Sequence, residues 1–166
     1  SPEAWLGRMA EALSGTDYQG TLVYISGGQV EAMQVFHAAS HGRERVVALN
    51  GAPRELVRDG ERVTCVGTAP APLVFDGGRL AGLRPLAEVG RSGPGGDYLA
   101  NLDDAVERVA GRPAVALDVR PRDAYRYGYR LWLDRDTALP LRAVLFDAAG
   151  EALEQLAFTE VEIGRV

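Results

Sequence analysis

The stretch "YRYGYRLWLDRDTALPLR", residues 125–142, alternates tyrosine with arginine, runs into a tryptophan and breaks at a polar turn before a second apolar run. Successive side chains of an extended chain point to opposite faces. Tyr125, Tyr127, Tyr129, Leu131 and Leu133 therefore share one face, and Arg126, Gly128, Arg130, Trp132 and Asp134 share the other. A period of two, a polar turn and a second apolar run spell strand, turn, strand. Two readings of the first strand stay open. In one it is an amphipathic strand whose arginines meet acids on neighbouring strands, such as Glu154, Glu160 or Glu162. In the other its aromatic side lines a cavity for an apolar ligand, and Tyr125, Tyr127, Tyr129, Leu131 and Trp132 are the ligand-binding candidates. The cavity reading expects Tyr127 and Tyr129 to be buried while Arg126 and Arg130 reach solvent or acids.

The same period extends through most of the chain. "YQGTLVYIS" and "QVEAMQVFHA" flank Gly27-Gly28, a two-residue turn in which both positions accept positive φ. "ERVVAL" ends at Asn50-Gly51, and Asp59-Gly60 separates "RELVR" from "RVTCV". Between Ala69 and Gly96 prolines and glycines loosen the pattern, which predicts a short strand "PLVFD" and then a mobile loop over Ala87–Gly96. Strands resume at "DYLANL", "AVERVA" and "AVALDVR", and after the opening stretch at "PLRAVLFD" and "ALEQLAFTEVEI". The exception is the start, where Ser1 and Pro2 form a cap and first-turn pair and Trp5, Leu6, Met9 and Leu13 recur at helical spacing. The expected fold is thus mainly β: one strongly curved, unclosed antiparallel sheet of roughly ten or eleven strands, with an N-terminal helix and short helices against its concave side.

Composition limits function. A chain of 166 residues, 46% hydrophobic and 25% charged, suits one globular domain over 1–166. The formal charge of −5 argues against a protein that holds nucleic acid through its phosphates. All 18 basic residues are arginine, which removes lysine-based phosphate loops and Schiff bases. No run is long enough to span a membrane as a helix, and Ser1 opens onto the helix without a basic-then-apolar leader, as a chain whose signal peptide is removed would. The single cysteine, Cys65, excludes an internal disulfide and reads as a buried small hydrophobe on its strand.

Catalytic and metal constellations do not assemble. His37 and His41 are four apart on a strand that runs into a turn, which sets them in different directions with no third ligand nearby. "GRSGPGG" lacks the spacing of a nucleophile elbow, and "DRDTALPLR" lacks the glycine and the final glutamate of a calcium loop. No cofactor and no metal are expected.

The chain resembles the N-terminal domain of the RseB/MucB family, periplasmic regulators of the sigma-E envelope-stress response. The resemblance rests on Tyr-x-Tyr with Trp132 and Asp134, on Leu139-Pro140-x-Arg142, on the Asp147–Gly150 hairpin and on "LEQ" at 153–155. "WLGRM" at 5–9, "DYQGTLVY" at 17–24, "EAMQVFH" ending at His37, "LNGAPREL" at 49–56 and "VTC" at 63–65 extend it over nearly the whole chain. It implies a fold similar to the lipoprotein carriers LolA and LolB, with a hydrophobic cavity, and no catalytic activity. It further implies a periplasmic location and a partner in the periplasmic segment of a membrane anti-sigma factor, which family members shield from proteolysis. Lipopolysaccharide or lipoprotein acyl chains are the implied signals. Self-association is left open. A carrier of lipoproteins or lipids on the same fold is the alternative. Family members also have a second, C-terminal domain that lies outside this sequence.

Overall fold

The computed structural model describes residues 1–67, 82–84, 86–92, 98–122 and 127–164. The strand expected at "PLVFD", the 93–96 part of the expected loop, and Tyr125 and Arg126 lie outside the described residues.

The chain opens with α1 (Pro2–Gly15), where the Ser1 hydroxyl accepts a bond from the Ala4 amide and Pro2 occupies the first turn. Leu6, Met9 and Leu13 fall on its buried side, each contributing about 1.5–3 kcal/mol relative to exposure. Strands β1 (Tyr18–Ser26) and β2 (Gln29–Ala38) meet through Gly27 and Gly28, both at positive φ. A 3-10 turn at Ala39–His41 leads to β3 (Arg43–Ala48), β4 (Arg54–Asp59) and β5 (Arg62–Gly67). The β4–β5 loop is Gly60-Glu61, since Asp59 already pairs with Arg62. After α2 (Leu86–Ser92) come β6 (Tyr98–Val109), β7 (Arg112–Pro121), β8 (Gly128–Asp134), β9 (Pro140–Phe146) and β10 (Ala152–Ile163).

These strands form one antiparallel sheet in the order β5-β4-β3-β2-β1-β10-β9-β8-β7-β6. Among the described residues the order is open, with β5 and β6 as edges. Curvature follows from a contact: β6 approaches β10, four places away along the sheet, and also touches α1. One face carries Tyr18, Leu22, Met33, Val35, Val46, Leu56, Leu117, Leu131 and Leu133, all essentially buried. The other carries Gln19, Thr21, Gln34, Arg43 and Arg45 and is largely open to solvent. α1, α2 and the turn at 82–84 supply the cover, with Leu83 and Leu86 joining the core.

Three expectations change. The loop expected over Ala87–Gly96 gives way to α2 through Ser92, because Leu86 and Val89 pack on the core and Gly90 lets the two helices approach. A Cβ on Gly90 would lie 3.1 Å from Ala10 Cβ and 3.2 Å from the Leu6 carbonyl oxygen. "DYLANL" and "AVERVA" are a single strand, interrupted by a bulge between Asp103 and Glu107. Cys65 is exposed rather than buried: it pairs with buried Leu56, yet every residue of β5 is exposed at this edge of the sheet.

Close backbone approach fixes where β1 meets β10. A Cβ on Gly20 would stand 2.4 Å from the Glu160 carbonyl oxygen and 3.0 Å from Val161 Cα, beside the register shift at Thr21/Leu22. Gly20→Ala is therefore expected to destabilise the fold by about 1–3 kcal/mol, the range for overpacking. Gly7→Ala, with nothing within 4 Å of the new methyl and a helical backbone, is expected to stabilise by about 0.5–1 kcal/mol. Urea unfolding of both variants checks the contrast; equal shifts would contradict it.

Candidate functional site

Strand β8 sends its two sides into different surroundings. On the covered face Leu131 and Leu133 are fully buried and Tyr129 is half-buried. Burial pushes the Tyr129 phenol above its ordinary pKa, and the neighbouring Tyr98 and Glu154 push the same way. Beside Tyr129 the ends of β7, β8 and β9 enclose a cavity of about 440 Å³, lined among others by Val119, Pro121, Phe146, Arg120 and Asp147. That volume is within the usual range for small-ligand sites, roughly 300–1,000 Å³. Its lining combines these apolar groups with the charged Asp118, Arg120, Arg130 and Asp147, which suits a molecule with an apolar body and a polar end.

The four described sequence candidates, Tyr127, Tyr129, Leu131 and Trp132, do not converge. Tyr129 and Leu131 share the covered face. Tyr127 precedes β8 and is 55% exposed, against the expectation that it is buried, because regular pairing begins only at Gly128. Trp132 points to the open face, where it is only 5% exposed. Its indole N–H donates to Glu107 Oε2 at 2.6 Å. The Arg142 guanidinium sits 4.3 Å from its ring centroid and that of Arg130 5.1 Å. Arg130 donates to Asp103 at 2.7 Å and Asp118 at 3.0 Å, and Arg142 reaches Gln155 at 3.4 Å. The acids that meet Arg130 are thus not Glu154, Glu160 or Glu162: β8 lies between β7 and β9, and its register sets Arg130 opposite Asp118. Glu160 and Glu162 instead accept from Thr21 and Gln19.

Asp134 ends β8 and is 1% exposed. It accepts from Arg112 Nε at 2.7 Å and from the Thr137 amide and hydroxyl at 3.0 and 2.8 Å, while the Thr137 hydroxyl accepts from the Leu139 amide. These bonds hold a turn in which Ala138 has φ of +65°. The residues Trp132, Asp134, Arg142 and Gln155 are in this way tied to one another's strands rather than turned toward the cavity.

A second polar group lies on the covered face, and the sequence reading did not find it. Tyr18, His37, Glu44 and Arg58 are successive cross-strand partners on β1 to β4. Tyr18 stacks on His37 at 4.9 Å, and His37 Nδ1 lies 2.7 Å from the Thr16 carbonyl oxygen, so Nδ1 carries the donated proton. Glu44 is buried, and burial raises its pKa even though His37, Arg58 and Arg84 act to lower it. The available signal was the phase of "RERVVA": Glu44 alternates in step with Val46 and Ala48, which an inward strand face requires.

The family model described as MucB/RseB N-terminal domain matches residues 1–166. The sigma factor AlgU regulatory protein MucB of Pseudomonas aeruginosa is 39% identical over 164 residues, covering 96% of this chain and 50% of that protein. The sigma-E factor regulatory protein RseB of Salmonella typhimurium is 31% identical over 164 residues, covering 94% and 51%. A crystal structure of MucB in complex with MucA(peri) superposes with a TM-score of 0.79 at 37% identity, over 100% of this chain and 57% of that one. A crystal structure of MucB gives 0.82 at 38%, over 99% and 59%. The chain spans about half the length of the curated relatives it matches.

The Asp134 turn yields a stability prediction. Burial alone would raise the Asp134 pKa, but the bonds from Arg112 and Thr137 outweigh it and hold the carboxyl below its ordinary range. A depressed acid stabilises the fold above its unfolded value, about 3.9, and that contribution is lost as the pH falls through the folded value. Asp134→Ala is expected to cost about 3 kcal/mol at neutral pH, since it leaves Arg112 without its buried partner. It should also flatten the acid limb of the stability curve. Urea unfolding across pH measures both.

Proposed function

The chain belongs to the MucB/RseB N-terminal domain family, and on that footing we propose that it is the ligand-sensing half of a periplasmic regulator of the sigma-E envelope-stress response. Its protein partner in this reading is the periplasmic segment of a membrane anti-sigma factor, which it helps to shield from proteolysis. The observation that carries the reading is the superposition, over the full length of this chain, on MucB in complex with MucA(peri) at 37% identity. The lipid side of the reading is supported by the cavity of about 440 Å³ that Tyr129 lines, whose walls combine apolar Val119, Pro121 and Phe146 with charged side chains, while Leu131 lies fully buried in the core behind it. The acyl chains of lipopolysaccharide or lipoproteins have that character. Tyr127 and Trp132 drop out of the proposed ligand surface, one being exposed before the strand and the other engaged on the opposite face.

The relatives are about twice the length of this chain, so a second domain shares the work. Sensing requires an element whose equilibrium both lipid and protein ligands bias. We assign the cavity to this half and the larger part of the anti-sigma contact to the other.

Two measurements test this. Tyr129→Asp, folded by circular dichroism, is expected to weaken a fatty-acyl probe about 30-fold, the equivalent of about 2 kcal/mol for an unpaired carboxylate placed in an apolar site. Unchanged affinity would remove Tyr129 from the ligand surface. This domain alone is expected to bind the anti-sigma segment at least about tenfold more weakly than the two-domain protein, a difference of about 1.4 kcal/mol. Equal affinity, with equal sensitivity to lipopolysaccharide, would place the whole switch within these residues. Acyl binding with no anti-sigma binding by either protein would favour a lipid carrier instead.

A further inference from the structure

The turn at 82–84, which leads toward α2, rests on a buried carboxyl group. Glu44 is 8% exposed and belongs to the row Tyr18, His37, Glu44, Arg58, with Arg84 of the turn adding a second guanidinium within electrostatic range. Gly82 lies directly over it: a Cβ there would be 2.9 Å from Glu44 Oε1, 3.6 Å from Val35 Cγ1 and 3.7 Å from Val46 Cγ2. Beside it Leu83 is 1% exposed in the core. The pairing of Glu44 with Arg58 is loose. Arg58 Nε stands 3.8 Å from Oε2, beyond hydrogen-bond distance, and that buried Nε has no hydrogen-bond partner among the described residues. Of the other charges of β3 and β4, Arg43 pairs with Asp59 and Arg45 with Glu55 on the open face, and Arg54, in phase with Arg58, lies 4.0 Å from Glu31.

We propose that this row is a proton-controlled seat for the turn at 82–84, which closes over a protonated Glu44 and lifts from an ionised one. A protonated carboxyl loses its burial penalty beneath Gly82, whereas an ionised one gains by meeting water and drawing Arg58 closer. The sign follows from linkage. The closed arrangement raises the Glu44 pKa above the ordinary glutamate value, chiefly by burial, so it binds the proton more tightly than an open one. Closure is therefore favoured as pH falls through the raised value and is penalised above it. Because the turn covers Val35 and Val46 and carries the chain toward α2, acid tightens the cover on the apolar face and neutral pH loosens it. The device does not depend on the identity of the partner.

Amide exchange read by NMR on the whole chain tests it. The Leu86 and Ala87 amides donate to the carbonyl oxygens of Leu83 and Arg84, so their protection factors report the seating of the turn. After correction for intrinsic exchange, protection is expected to fall by up to about tenfold per pH unit above the Glu44 pKa, in a titration from about pH 4.5 to about pH 7.5. The Leu131 amide in the sheet should not follow. Glu44→Gln, a neutral isostere, is expected to keep high protection throughout, and His37→Gln to retain the pH response. A flat wild-type profile overturns the proposal without any variant. A response that survives in Glu44→Gln, or vanishes in His37→Gln, also overturns it, the latter by giving the switch to the imidazole.

Discussion

A sheet of ten strands with one apolar face has to be covered by something other than strand, and this requirement orders the rest of the molecule. Closing the sheet into a barrel would bury that face by itself, but among the described residues the order runs from β5 to β6 without joining. The cover is instead assembled from α1, α2 and the turn at 82–84, which place Leu6, Met9, Leu13, Leu83 and Leu86 in the same core as Leu22, Val35 and Leu131. Where the described cover ends, exposure begins. β5 continues the pairing in register, yet all six of its residues are exposed, Val63 and Val66 included.

Curvature at the opposite end has its own support on the open face. Trp132 is buried there by side chains rather than by a second layer, with two guanidiniums against its ring and a carboxylate on its indole N–H. Each cation–π contact contributes about 0.5–1 kcal/mol at an exposed site and more when desolvated. The acids and the amide that hold the arginines come from β6, β7 and β10, so one tryptophan gathers groups from its own strand and four others. This arrangement ties strands together at the end of the sheet where β6 comes close to β10.

The fold was largely legible because its signals are local. Gly27-Gly28 and Ala110-Gly111 adopt positive φ at hairpin turns, and the alternation through β1, β2 and β7 matches the faces the strands present. What failed to show in sequence was decided by distant partners. Nothing within "LAEVGRS" announces a helix over its glycine, since α2 depends on how closely Gly90 lets it approach α1. Cys65 sits in an inward phase, but exposure depends on how far the helices extend over the sheet. The partners of Arg130 required the strand order, which no single-strand pattern contains. The inward placement of Leu131 and Tyr129 was readable from period two; the start of regular pairing at Gly128, which leaves Tyr127 outside, was not.

Most of the family signature lies away from the proposed ligand surface, which takes from it Tyr129 and residues of the Asp147–Gly150 hairpin. Trp132, Asp134, Arg142 and Gln155, through which the chain is recognised, are spent on each other's strands and on the β8–β9 turn. Leu131, one residue away, faces the core that the helices cover. Trp132 acts on a ligand in the cavity only through the position of the strand, whereas Tyr129 meets it directly. Loss of a signature residue away from the cavity should therefore register first as stability and curvature, and loss of a cavity residue as affinity with the fold retained. Ligand entry, in turn, has to act on the cover, because the sheet beneath is held by nine antiparallel pairings. The turn at 82–84 rests on the ionisable row by side-chain and backbone proximity and joins no strand ladder, which makes it the part of the described cover that moves at least cost.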